Sequence, residues 1–237
     1  MFEHQPASLQ RTGTTATFVD AGLRHHMLRV YNFMASGVLL TGIVALLVAS
    51  TPALYQPILG TPLKWEVMLA PLAFVFFFSF RIDRMSAFTA QATFWAFSAV
   101  MGLSLSSIFL VFTGVSIVQT FFIAASMFLG MSLWGYTTGR DLSRFGSFLI
   151  MGVVGVLIAS LVNLFLGSSV MQMAISIVGV LVFTALTAWD TQNIKAQYAA
   201  NIGREAEMKI AVFGALSLYL NFVNIFQFLL HLTGERE

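Results

Sequence analysis

The chain of 237 residues is 58% hydrophobic and only 9% charged, where a soluble domain is about one quarter charged, and its formal net charge is +2. With a mean hydropathy of +0.85 this leaves little room for a separate soluble domain and reads as one integral membrane domain. The basic residues stand one to three at a time between apolar runs, which excludes a phosphate-binding stripe despite a pI near 9.2, and the absence of cysteine excludes disulfides, thiolate nucleophiles and Cys-based zinc or iron–sulfur sites.

Residues 1–24 read as a polar tail with no cleavable signal peptide; the first apolar run starts near Leu28. A membrane span needs about 20 mostly apolar residues, and seven candidates follow in order. They lie near 28–50, 64–80, 87–112, 116–137, 145–166, 171–195 and 209–232. The second is the weakest, with 14 uncharged residues between Glu66 and Arg81 and Pro71 among them. It tilts, or Arg81 snorkels to the interface. A helical stretch is expected at Gln197–Met208, between the last two spans. The fold class expected is all-α: a polytopic bundle of seven transmembrane helices.

Lysine and arginine counts set the orientation. Loops on the side of the N-terminus carry ten (Arg11, Arg24 and Arg29; Arg81 and Arg84; Arg140 and Arg144; Lys195, Arg204 and Lys209), and the opposite side carries Lys64 and Arg236. The positive-inside rule then places the N-terminus in the cytoplasm. Glycine and other small residues (Gly102, Ser106, Gly130, Gly152, Gly155 and Ala159) are expected to let backbones approach, because packing drives helix association in lipid.

No charged residue lies between Phe145 and Trp189; then comes Asp190. A carboxylate near the end of a membrane helix is costly and marks a candidate site. In the seventh span Ser217, Asn221 and Asn224 stand at i, i+4 and i+7 on one face. Buried amides need partners, and the simplest pairing sets Asp190 against this stripe, with Asn163 of the fifth span as a further candidate. Thr184, Thr187 and Thr191 share a face beside it and read, with the serines, as interhelical hydrogen-bond glue. Arg81 and Arg84, at the inner end of the second span, reach Asp190 if those helices adjoin.

These residues resemble the Bax inhibitor-1 (transmembrane Bax-inhibitor-motif) family, bacterial branch, from about Leu28 to Leu232. The resemblance rests on Trp189-Asp190-Thr191-Gln192-Asn193-Ile194 and on Ala215-Leu-Ser-Leu-Tyr-Leu-Asn221-Phe-Val-Asn224-Ile-Phe226. Gly102-Leu-Ser-Leu-Ser-Ser-Ile108, Trp134-Gly-Tyr-Thr-Thr-Gly-Arg-Asp-Leu142 and Ser160-Leu-Val-Asn163 support it. The resemblance implies a bundle with the last helix at its centre and a pH-sensitive calcium leak. In the family, two aspartates on the last two helices share a proton and an arginine of the second helix latches one of them. Asp190 matches the first aspartate, and Arg81 or Arg84 the latch. Asn221 stands where the family has its second aspartate, which removes the coupled carboxylate pair. Tight calcium binding is not expected, since one carboxylate with amide and hydroxyl oxygens is a poor match to six to eight hard ligands; Asp190 is the one candidate metal contact.

Three functional classes follow. The first is a pH-modulated cation (calcium) leak channel of an inner membrane, with no cofactor. The second is a membrane-embedded modulator of a quality-control membrane protease, using the N-terminal tail as its handle. An intramembrane enzyme is not expected. There is one intramembrane aspartate, no His-Glu-x-x-His, and no ligand spacing among His4, His25, His26 and His231.

Overall fold

The computed structural model describes residues 8–81, 84–198 and 203–236, with side chains from Ala21 onward except at Ser79. Residues 1–7 of the expected tail and 199–202 of the expected Gln197–Met208 stretch lie outside the described residues. The elements are α1 (Ser8–Ser50), α2 (Pro52–Leu59), α3 (Leu63–Arg81), α4 (Ala87–Leu105), α5 (Ile108–Val111), α6 (Gly114–Thr137), α7 (Gly146–Leu166), α8 (Ser169–Gln197) and α9 (Arg204–Thr233). A short 3-10 turn, Ser143–Phe145, precedes α7. Among the described residues there is no strand.

Six helices are long and apolar enough to cross a membrane: the bulk of α1, α4 with α5, α6, α7 with its preceding turn, α8 and α9. The second expected span behaves differently. It qualifies only when α3 is joined to α2 across a bend of 86°, which raises the total to seven. Glu66 in its first turn and Pro71 within it leave the apolar run short. The remaining bounds move modestly. Helix α1 continues back to Ser8 through most of the expected polar tail, and α9 begins at Arg204, inside the stretch expected to be a separate helix.

Local chemistry explains the breaks. Ser86, Thr113 and Ser168 each accept a hydrogen bond from a first-turn N–H and so cap α4, α6 and α8. Gly167 ends α7 at φ +61°, the left-handed conformation that glycine adopts without penalty. Glu205 and Glu207 in the first turn of α9 complement its dipole.

Helix α9 is the centre of the bundle: 56% of its span is buried, against 17–39% for the other five. It packs on α8, α1, α6 and α4; α3 packs on α4, and α7 on α8. Aromatic pairs surround α9 along its middle, with Tyr219 between Phe94 and Phe97, Phe222 against Phe121 and Phe128, and Phe228 stacked on Phe183. The close backbone approaches are only partly those expected. Gly102 meets Thr41 and Val44 of α1, but Gly130 and Gly155 have nothing within 4 Å of where a side chain would start. Among the described glycines, the closest backbone approach between helices is at Gly135, whose Cβ would lie 2.3 Å from the Ala188 carbonyl oxygen, where α6 crosses α8.

Candidate functional site

Helix periodicity gives the motif in α8 three faces. Asp190 and Ile194 point to α9, where Ile194 packs on Gly214. Thr191 points to α6, where it meets Ser132. Trp189 and Gln192 point to the connection between α6 and α7.

On the α9 face, Ser217 Oγ donates to Asp190 Oδ2 at 2.8 Å and Asn221 Nδ2 donates to the same oxygen at 2.6 Å. Ser217 and Asn221 sit one turn apart, so the carboxylate rests between two rungs of the central helix. Asp190 and Ser217 are partly buried, and Asn221 is 4% exposed. Asp190 lies seven residues, about 10 Å, from the end of α8 at Gln197. A neutral amide and a hydroxyl satisfy it by donation, without a countercharge.

Three expected partners are elsewhere. Asn224 turns its amide back to the Leu220 carbonyl of its own helix at 2.8 Å. Asn163 caps the turn between α7 and α8, accepting from Ser168 N at 3.0 Å and donating to Gln172 at 3.2 Å. Arg81 and Arg84 are exposed, and the expected latch is not made. The reason is topological: α3 packs on α4, whereas α8 packs on α9, α6 and α7. The ion pairs found among the described residues are instead those of Glu207 with Arg29 at 2.9 Å and His26 at 3.8 Å. Nor is a resident metal site assembled at Asp190, since the described residues contain no group of three His, Cys, Asp or Glu side chains placed to hold an ion.

The remaining motif residues organise the surroundings. Gln192 Oε1 accepts from Leu142 N at 2.7 Å and its Nε2 donates to the Arg140 carbonyl at 2.8 Å, clamping the connection onto α8. Trp189 lies against Gly146, and Lys195 donates to the Tyr136 carbonyl at 2.9 Å while covering its ring. Within the connection, hydrogen bonds from Ser143 Oγ and then Ser143 N hold the exposed Asp141 carboxyl below the usual carboxylate range.

Two hydroxyl relays cross the bundle. Thr191 spends its proton on the Thr187 carbonyl at 2.7 Å. Ser132 therefore donates to Thr191 at 3.0 Å, and Tyr31 donates to Ser132 at 2.6 Å, because each hydroxyl has a single proton. By the same logic Tyr219 donates to Thr41 at 2.6 Å, which donates to the Ser98 carbonyl at 2.8 Å. The glue reading fits Thr191 and Ser132, while Thr184 Oγ1 is buried with no partner. Sequence reasoning gave no hydrogen-bonding role to the side chains of Gln192, Tyr31 and Tyr219. A polar residue every third or fourth position on an otherwise apolar helix was the available signal.

Comparison with known proteins places these features in context. The family model described as "Inhibitor of apoptosis-promoting Bax1" matches residues 23–237. A protein of Rickettsia prowazekii is 44% identical over 230 residues, 97% of each chain. The inner membrane protein YbhL of Escherichia coli K12 is 42% identical over 226 residues, 92% of this chain and 94% of that one. A membrane protein of Streptococcus pyogenes serotype M1 is 34% identical over 221 residues, 92% of this chain and 96% of that one. The chain is an integral membrane protein.

Proposed function

The chain belongs to the Bax inhibitor family, and from that membership we propose that it is a cation leak pathway of a bacterial inner membrane, permeable to calcium and modulated by the protonation of Asp190. The observation that carries this reading is the carboxylate of Asp190 held on the central helix by Ser217 and Asn221. A carboxylate is an expensive choice inside a membrane protein where an amide would hold the helices equally well. It supplies an anionic station for a cation at the inner end of α8 and α9. Outward of it, the aromatic pairs of Phe222 and Phe228 close the route by excluding water, while Tyr219 lies level with the carboxylate, between Ser217 and Asn221. Opening requires α8 and α9 to separate, and the two hydrogen bonds on Asp190 Oδ2 resist that. The excess of basic residues on the N-terminal side orients the N-terminus to the cytoplasm, so Asp190 faces the cytoplasmic mouth.

The test is calcium flux into proteoliposomes at several pH values, for the wild type and for Asp190→Asn. The reading requires Asp190→Asn to change the flux and flatten its pH dependence; equal flux at every pH in both proteins refutes it. A second reading, a modulator that docks a quality-control membrane protease, draws on the continuation of α1 as helix back to Ser8. Deleting residues 1–20 separates the two: a modulator loses its partner, whereas a leak pathway keeps its flux.

A further inference from the structure

Helix α1 packs on α4 and α9, and α6 packs on α8 and α9, which leaves a groove between α1 and α6 that opens sideways towards lipid. At one end is a cavity of about 390 Å³ lined by Arg24, Leu28, Tyr31 and Leu133. It shares Tyr31 and Leu129 with a cavity of about 530 Å³ that runs on past Ala35 to Phe222 of α9. Both volumes lie in the range of small-molecule sites, about 300–1,000 Å³.

The chemistry of the groove is lopsided. Arg24 is the one charged residue among the described lining residues; it is exposed and has no ion pair among the described residues. Below it the Tyr31 and Ser132 hydroxyls are already spent, and the Tyr136 hydroxyl is the one other polar side-chain group of the described lining. The Tyr31 hydroxyl donates inward to Ser132, whose own proton goes to Thr191. Beyond Tyr31 the walls therefore offer hydrocarbon and aromatic faces, with no free side-chain donor among the described lining residues to hold water or an ion. A cation heading a dry apolar trough matches an amphiphile with an anionic head.

We propose that the inner half of the α1–α6 groove binds an anionic phospholipid, with its phosphate on Arg24 and one acyl chain lying along Tyr31 to Ala35. The reach agrees. Ala35 is 11 residues from Arg24, about 16 Å along the helix, close to one leaflet's half of a hydrocarbon core about 30 Å thick. Gly42 is 18 residues away, about 27 Å, beyond a chain from the same leaflet.

The test is native mass spectrometry of the detergent-purified full chain offered equal dioleoylphosphatidylglycerol and dioleoylphosphatidylcholine. The wild type is expected to retain one phosphatidylglycerol with about fivefold preference, the weight of one basic residue at an anionic surface. Arg24→Gln abolishes the preference and Arg24→Lys keeps it. Ala35→Phe fills the trough and loses both lipids. Gly42→Leu, where nothing lies within 4 Å of the new Cβ, retains lipid as the wild type does. Unfolding temperatures establish that each variant is folded. The proposal is overturned by equal retention of the two lipids in the wild type, by Ala35→Phe retaining lipid, by Gly42→Leu losing it, or by a lipid-free dimer in which a second copy covers the groove.

Discussion

Asn221→Asp tests the site most directly, because it converts a donated hydrogen bond into a meeting of two carboxyl groups. The Asn221 amide nitrogen is 2.6 Å from Asp190 Oδ2, so the new carboxyl takes its place without rebuilding either helix. With one proton between them the two groups bridge α8 and α9 as the amide does now. With none, two charges about 4 Å apart repel by about 4 kcal/mol at an effective dielectric near 20. At 1.36 kcal/mol per unit, that coupling spreads the titration of the pair over about three pH units. The shared proton stabilises the closed contact at low pH, and its loss as pH rises drives the helices apart. Calcium flux into proteoliposomes carrying the variant is therefore expected to be low at about pH 6 and to climb by about pH 8, with a steeper pH profile than the wild type. Identical flux at both values would show that this contact does not gate the pathway, and the sensor argument fails with it.

Other consequences concern the scaffold around the site. Gly135→Ala drives a methyl group into the Ala188 carbonyl at the α6–α8 crossing and is expected to destabilise the protein by about 1–3 kcal/mol in detergent unfolding, whereas Gly130→Ala, which meets nothing within 4 Å, is neutral or better. Equal melting of the two variants contradicts the crossing. Gln192→Ala removes both hydrogen bonds that clamp the α6–α7 connection. At about 1 kcal/mol each, trypsin cleavage at Arg140 and Arg144 should accelerate up to about thirtyfold, and unchanged cleavage rates would place the clamp elsewhere. Tyr219→Phe deletes the donor to Thr41 and leaves the Thr41–Ser98 bond intact, so a loss of about 1 kcal/mol is expected in the same unfolding assay. A loss several times larger would mean that the relay acts as a unit.

Part of the candidate site was legible because it depends on local rules. Asp190 stood out as the lone carboxylate after a long uncharged stretch, and Ser217 and Asn221 stood out as polar residues one helical turn apart. Their meeting follows from two antiparallel neighbouring helices, one with a carboxylate to satisfy and the other with two donor rungs one turn apart. Asn224 shares the stripe yet binds its own helix, because a backbone carbonyl four residues back is always within reach. Asn163 likewise found a turn to cap before it found a helix to cross. The expected reach of Arg81 and Arg84 to Asp190 depends on their helices adjoining, and a shared membrane side fixes depth but says nothing about neighbours around the bundle.

The chain by itself determined six of the seven expected spans and their character, while the bend between α2 and α3 was settled only by the structure. In lipid each backbone group must be satisfied within its own segment, so the length of an apolar run and the residues that cap it are sufficient. It also determined which residues are too polar for lipid and so must turn inward. Only the tertiary structure decided which helix meets which, in what direction the Tyr31 and Tyr219 hydroxyls donate, and where α1 and α6 part to leave a groove. The physical reason is that lipid tails are as apolar as the side chains they touch. Hydrophobicity therefore marks no inner face, and only close backbone approach and satisfied polar groups select one arrangement of neighbours.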